Sequence, residues 1–228
     1  MFTRILTSAL FAGFAAGLIA ALLQFVFVQP VLLHAELYEA GAKLHFGADG
    51  SSSHGPAFSF DALRDGLSIL FSALVYTGYG LMLVAAMALA DERGVIISAR
   101  SGILWGLAGF ITVHFAPAIS LPPEVPGSAA ADVATRQVWW FSTIAVTGLS
   151  LALIAFGQNW KAWGGAIVLL LMPHIIGAPH PDLFQGTTPP ELASLFASRA
   201  LGIGLAAWVL LGCFAGYFWQ NSDKTDTP

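Results

Sequence analysis

The sequence predicts an all-α, polytopic membrane protein: a helical bundle of about six spans, with five also compatible, arranged as outward-facing hairpins. Two observations carry the fold class. Apolar residues make up 57% of the 228 positions and charged residues only 10%. Soluble domains carry roughly 25% charged residues, because they need a charged surface toward water. Mean hydropathy is +0.75, and the apolar residues gather into runs that approach or exceed the roughly 20 residues needed to cross a bilayer. The lone cysteine, Cys213, excludes an intrachain disulfide framework or thiolate cluster. A formal net charge of −4 gives no reason to expect a nucleic-acid partner.

The first apolar run, Ile5 to Leu33, follows a single Arg4. It is far longer than the about 7–15 apolar residues of a signal peptide, so it is expected to stay as a span, with tilt taking up the surplus. Ala9, Gly13, Gly17 and Ala21 recur every fourth residue, a small-residue stripe that lets another helix approach. Packing within this chain is the expectation for it, ahead of a dimer contact. Residues 40–65 form the longest polar segment. Its Gly/Ser-rich part, Gly47 to Pro56, reads as a mobile loop, and His45 and His54 in this polar segment read as solvated loop residues ahead of metal capture. The second span runs from Gly66 to Ala90 and stops at Asp91-Glu92-Arg93-Gly94. The third is Ile103 to Leu121, and the fourth is Gln137 to Gly157, with Trp139 and Trp140 expected as interfacial anchors. The fifth, Ala162 to Ile176, is short and broken by Pro173; the sixth is Arg199 to Gln220. One transmembrane domain over residues 1–220 and a disordered cytoplasmic tail at 221–228 complete the expectation.

Six spans put both termini on one side. With the N-terminus inside, Arg4, Arg93, Arg100, Lys161 and Lys224 lie inside, against Lys43, Arg64, Arg136 and Arg199 outside. This is a small positive-inside bias. Carboxylates divide more unevenly. Glu36, Glu39, Asp49, Asp61, Asp65, Glu124, Asp132, Asp182 and Glu191 fall outside; Asp91, Glu92, Asp223 and Asp226 fall inside. Every histidine falls in an outer loop or at the outer end of a span. A negative outer face bearing imidazoles concentrates divalent cations.

The chemistry centres on His114-Phe115-Ala116-Pro117 and the following Pro122-Pro123-Glu124. An ionisable side chain inside an apolar run is costly in hydrocarbon, so a function is the default reading. Pro117 has no N–H, which in α-helical register frees the carbonyl of Val113 beside the histidine. A looser version returns as His174, Pro179, His180 and Pro189-Pro190-Glu191. The repetition fits either two related transport elements or prolines that merely punctuate turns. Imidazole with carboxylate suits first-row divalent ions, and the near absence of cysteine argues against soft metals. The candidate ligands are therefore His114, His174, Glu124, Glu191, His34 and His180. A transport site must release its ion, so a partial ligand set is enough. Arg136 and Arg199 are better read as partners of the Pro-Pro-Glu carboxylates or as phosphate anchors. No Walker-type phosphate loop is present, so ATP hydrolysis is not expected, nor is a resident cofactor.

These residues resemble a known family. His34-Ala35-Glu36 at the end of the first run, the stretch from His114 through Leu121-Pro122-Pro123-Glu124-Val125-Pro126-Gly127, the Trp139-Trp140 pair and Pro173-His174-Ile175-Ile176-Gly177-Ala178-Pro179 look like the CbtA family. The resemblance runs from Met1 to about Gln220. It implies a subunit of a cobalt transporter in the bacterial inner membrane, linked to cobalamin metabolism, and not an enzyme. Co²⁺, or Ni²⁺ or Zn²⁺, is then the transported ion. The implied companion is a small single-span, histidine-rich membrane protein (CbtB-like). The family is often described with five spans where six are counted here. The rival reading is a membrane-embedded enzyme or assembly factor using the His114/Glu124 region.

Overall fold

A computed structural model describes residues 1–45, 55–56, 60–183 and 185–222. It is all-helical apart from loops, and no strand occurs among the described residues. The helices are α1 (Phe2–Phe27), α2 (Gln29–Glu39), α3 (Ala62–Asp91), α4 (Ala99–Phe110), α5 (Ala116–Ser120), α6 (Val133–Phe156), α7 (Trp160–Ile176) and α8 (Pro190–Ser222). A π-helical turn, Ile111–Phe115, joins α4 to α5. Among the described residues, five segments are long and apolar enough to cross a membrane: α1, α3, the continuous Ala99–Ser120, α6 and α8. The sixth apolar helix, α7, has 17 residues. At 1.5 Å per residue it covers about 25 Å, short of a hydrocarbon core of about 30 Å.

Helix starts follow side-chain chemistry. Asp61 accepts the Arg64 N–H at 2.8 Å, Asp132 the Thr135 N–H at 3.0 Å and Asn159 the Ala162 N–H at 2.9 Å. Each satisfies a backbone donor that the first turn leaves without a partner. Gly177 ends α7 at φ +88°, a left-handed conformation that favours glycine. Two expectations need correction. The run Ile5–Leu33 is not one tilted span. It breaks at Val28, because Pro30 offers no N–H to Val26, and α2 begins afresh at Gln29. The last span begins earlier than Arg199, at Pro190, and continues through Asn221 and Ser222, which were expected in the tail. The rest of that tail, and His54 with most of its Gly/Ser loop, lie outside the described residues.

The chain divides into two compact units. One comprises Met1–Phe27, Phe58–Phe110 and Gly202–Pro228; the other comprises Val28–Ala57 and Ile111–Leu201. In the first unit, α1 packs along α3 through the small-residue stripe. A Cβ on Gly13 would strike the Thr77 backbone, one on Gly17 the Ala73 backbone, and one on Gly80 the Ala9 carbonyl. The stripe is thus internal packing, as expected. A second glycine seam, unremarked in the sequence, joins α4 to α8: Gly102 meets Gly212, Gly106 meets the Trp208 carbonyl and Gly216 meets the Ser98 carbonyl. Without a hydrophobic drive between helices in lipid, such close backbone approach is what holds them. Arg4 closes the same unit. It donates to the Ser222 hydroxyl at 2.8 Å and the Trp219 carbonyl at 2.7 Å, and lies 3.8 Å over the Trp219 ring.

In the second unit, α6 and α7 form an antiparallel hairpin, with the π turn and α5 packed on α6. Its two proline-rich loops are stitched together. The Ala129 N–H donates to the Gln185 carbonyl at 2.8 Å and the Thr187 N–H to the Gly127 carbonyl at 3.0 Å. The Thr188 hydroxyl donates to the Pro126 carbonyl at 2.7 Å.

Candidate transport site

Every described histidine, and all six candidate ligands, fall in the second unit. They are held separately. His174, near the C-terminus of α7, has Nδ1 2.9 Å from the Ser120 hydroxyl at the end of α5. The Trp139 ring of α6 stands edge-on to it, with centroids 6.3 Å apart. Trp139 is thus buried against a histidine, whereas an interfacial anchor was expected; Trp140 is the more exposed of the pair. His114 is half-buried inside the π turn, six residues before Ser120. In helical geometry that places it about 9 Å deeper along the segment.

The two Pro-Pro-Glu motifs differ in structure. Pro122-Pro123-Glu124 lies in a loop outside any helix, and a carboxylate oxygen of Glu124 accepts from Arg136 at 2.7 Å. This is the partnership foreseen for Arg136. Pro190 instead opens α8, and Glu191 is exposed in its first turn. There a carboxylate is favoured by the helix dipole, and proline by its fixed φ. His180 is exposed in the loop after α7.

His34 is buried in α2. Its Nε2 lies 3.0 Å from the Lys43 ammonium, and its ring lies against Tyr38 at 5.5 Å. Lys43 can only donate, so the accepting imidazole is neutral with its proton on Nδ1. Burial, and then the Lys43 charge, hold its pKa below the usual 6.5.

Among the described residues no three His, Cys, Asp or Glu side chains gather into a metal-binding group. Each of His34, Glu124 and His174 instead has a partner that is not a transition-metal ligand of choice: Lys43, Arg136 and Ser120. Among the described residues the candidate imidazoles are thus held singly and form no cage.

The family model described as "Probable cobalt transporter subunit (CbtA)" matches residues 2–220. The chain belongs to the CbtA family. No curated protein and no solved structure matched it. The family description is that of a transporter subunit, which implies partner subunits, cobalt as the transported ion and a multi-pass membrane protein.

For this CbtA member the sequence pointed to the imidazoles but missed the hydroxyls around them. Ser120 holds His174, and Thr143, Thr147 and Ser150 are fully buried on α6. With Trp139 they recur at steps of four, four and three residues, one helical face. Hydroxyls repeated at that spacing in an apolar run were the available signal.

Proposed function

We propose that this chain is the membrane-spanning component of a cobalt uptake system in a bacterial inner membrane, serving cobalamin synthesis. Its N-terminus is cytoplasmic, and a single-span, histidine-rich subunit delivers or receives the ion. His34, His114, Glu124, His174, His180 and Glu191 act as weak, successive ligands, and His114 and His174 carry the intramembrane part. The supporting observation is that all six fall in one compact unit, whose two proline-rich loops are hydrogen-bonded to each other.

An inside-negative potential contributes about 2.3 kcal/mol per charge per 100 mV, so a divalent cation gains about twice that. This can drive entry without ATP. The test is Co²⁺ uptake at equal membrane abundance. His114→Ala and His174→Ala are expected to impair uptake more than His45→Ala. Normal uptake by both intramembrane variants would place the route elsewhere.

A further inference from the structure

Two tiers of polar groups line the seam where the π turn with α5, α6 and α7 meet. The outer tier is Ser120, Trp139 and His174. Eight residues further in along each segment, about 12 Å in helical geometry, lie Thr112, Thr147 and Ala166. The register holds. A Cβ on Gly148 would lie 3.5 Å from Thr112 Cγ2, and the Ser150 hydroxyl donates to the Ala166 carbonyl at 2.6 Å.

One side chain in this seam lacks a partner, and the register of the π turn bears on a backbone carbonyl beside it. Thr147 is fully buried, and its hydroxyl has no hydrogen-bond partner among the described residues. Its neighbour one turn earlier, Thr143, donates to the Trp139 carbonyl at 2.8 Å. The second group is a carbonyl of the π turn. In that i→i+5 register, the donor for the Thr112 carbonyl would be the N–H of residue 117, which is proline. The sequence had placed the freed carbonyl on Val113; in the π register the residue facing Pro117 is Thr112, whose side chain packs at Gly148, the chain neighbour of Thr147. The Trp139 indole N–H is likewise buried, with no partner among the described residues. In hydrocarbon such groups are costly unless something polar reaches them. An open groove of about 620 Å³ between α6 and α7 is lined by Trp139 and Thr143, the outer members of the same stripe.

We propose that this seam admits water and that the Thr147 hydroxyl, with the Thr112 carbonyl, forms an oxygen site in it for a hydrated divalent cation. The site lies on the cytoplasmic side of His174. It deepens the uptake reading and relies on it for the identity of the ion and for which side is cytoplasmic. Neutral oxygens bind such a cation through its water shell, weakly enough for it to leave.

The test uses the full chain in vesicles on a Cys213→Ser background. The thiol introduced by Thr147→Cys should react with a small water-soluble methanethiosulfonate faster than that from Leu149→Cys, whose side chain is exposed on the apolar exterior. Co²⁺ should slow the reaction. Labelling no faster than at Leu149, or labelling that Co²⁺ leaves unchanged, overturns the site. A second variant guards against misfolding. Thr147→Val keeps the volume and removes the hydroxyl, so thermal stability should hold or rise while uptake falls roughly tenfold, the weight of one oxygen contact to a charged ligand. Thr147→Ser should retain uptake. Wild-type uptake by Thr147→Val, or loss of uptake together with stability, counts against the site. If the unaltered chain moved no Co²⁺ at all, the uptake reading would fall, and the labelling would still decide the oxygen site.

Discussion

Replacing Glu124 by Gln separates a ligand from an ion-pair partner. In the structure Glu124 accepts from Arg136 at 2.7 Å, with the two side chains 29% and 26% exposed. Two unit charges about 4 Å apart attract by about 4 kcal/mol at an effective dielectric of 20. Partial exposure, desolvation and side-chain ordering reduce the net value to about 1–2 kcal/mol. The Arg136 Nε is buried with no partner among the described residues, so this guanidinium already depends on Glu124 for its pairing. Glu124→Gln should therefore lower the thermal midpoint in detergent by a few degrees, at about 2–4 °C per kcal/mol for a chain of this length. Arg136→Gln should do the same, and the double variant should lose less than the sum of the two. If Glu124 acts chiefly as a metal ligand, Glu124→Gln abolishes Co²⁺ uptake while Arg136→Gln preserves or raises it. Single variants of unchanged stability whose effects simply add would refute the ion-pair reasoning.

Gly13→Val should separate α1 from α3, because its Cβ would meet the Thr77 backbone; overpacking of this kind costs about 1–3 kcal/mol and should show as reduced thermal stability. Stability should also depend on His34. Its folded pKa lies below the unfolded 6.5, so its contribution is present above that value and is lost as pH falls through the lowered folded pKa. Thermal midpoints measured from pH 8 to 5 should fall below about 6.5, less steeply in His34→Gln; identical profiles would dismiss the effect. Ser120→Ala removes the hydroxyl at His174 Nδ1, and should reduce Co²⁺ uptake with little loss of protein, as measured by uptake normalised to membrane abundance.

Composition and run lengths alone determined that the chain is a helical membrane protein, because solvent partition depends on local sequence and needs no fold. Local chemistry also marked the histidines, the weak span with Pro173 and the small-residue stripe of α1, each visible within a few residues. Tertiary structure decided what those local signals mean. The first run read as one span, and only the fold showed α1 ending at Phe27 and α2 starting at Gln29. The paired Pro-Pro-Glu motifs read alike as strings. One became a loop tied to Arg136 and the other a helix start, since each carboxylate's role depends on what distant residues bring to it. Trp139 looked like an anchor until α7 placed His174 against it. The π turn, whose register moves the carbonyl facing Pro117 from Val113 to Thr112, packs against α6. An extra residue in a helical turn costs hydrogen bonds, and local propensity alone gives no reason to expect one there.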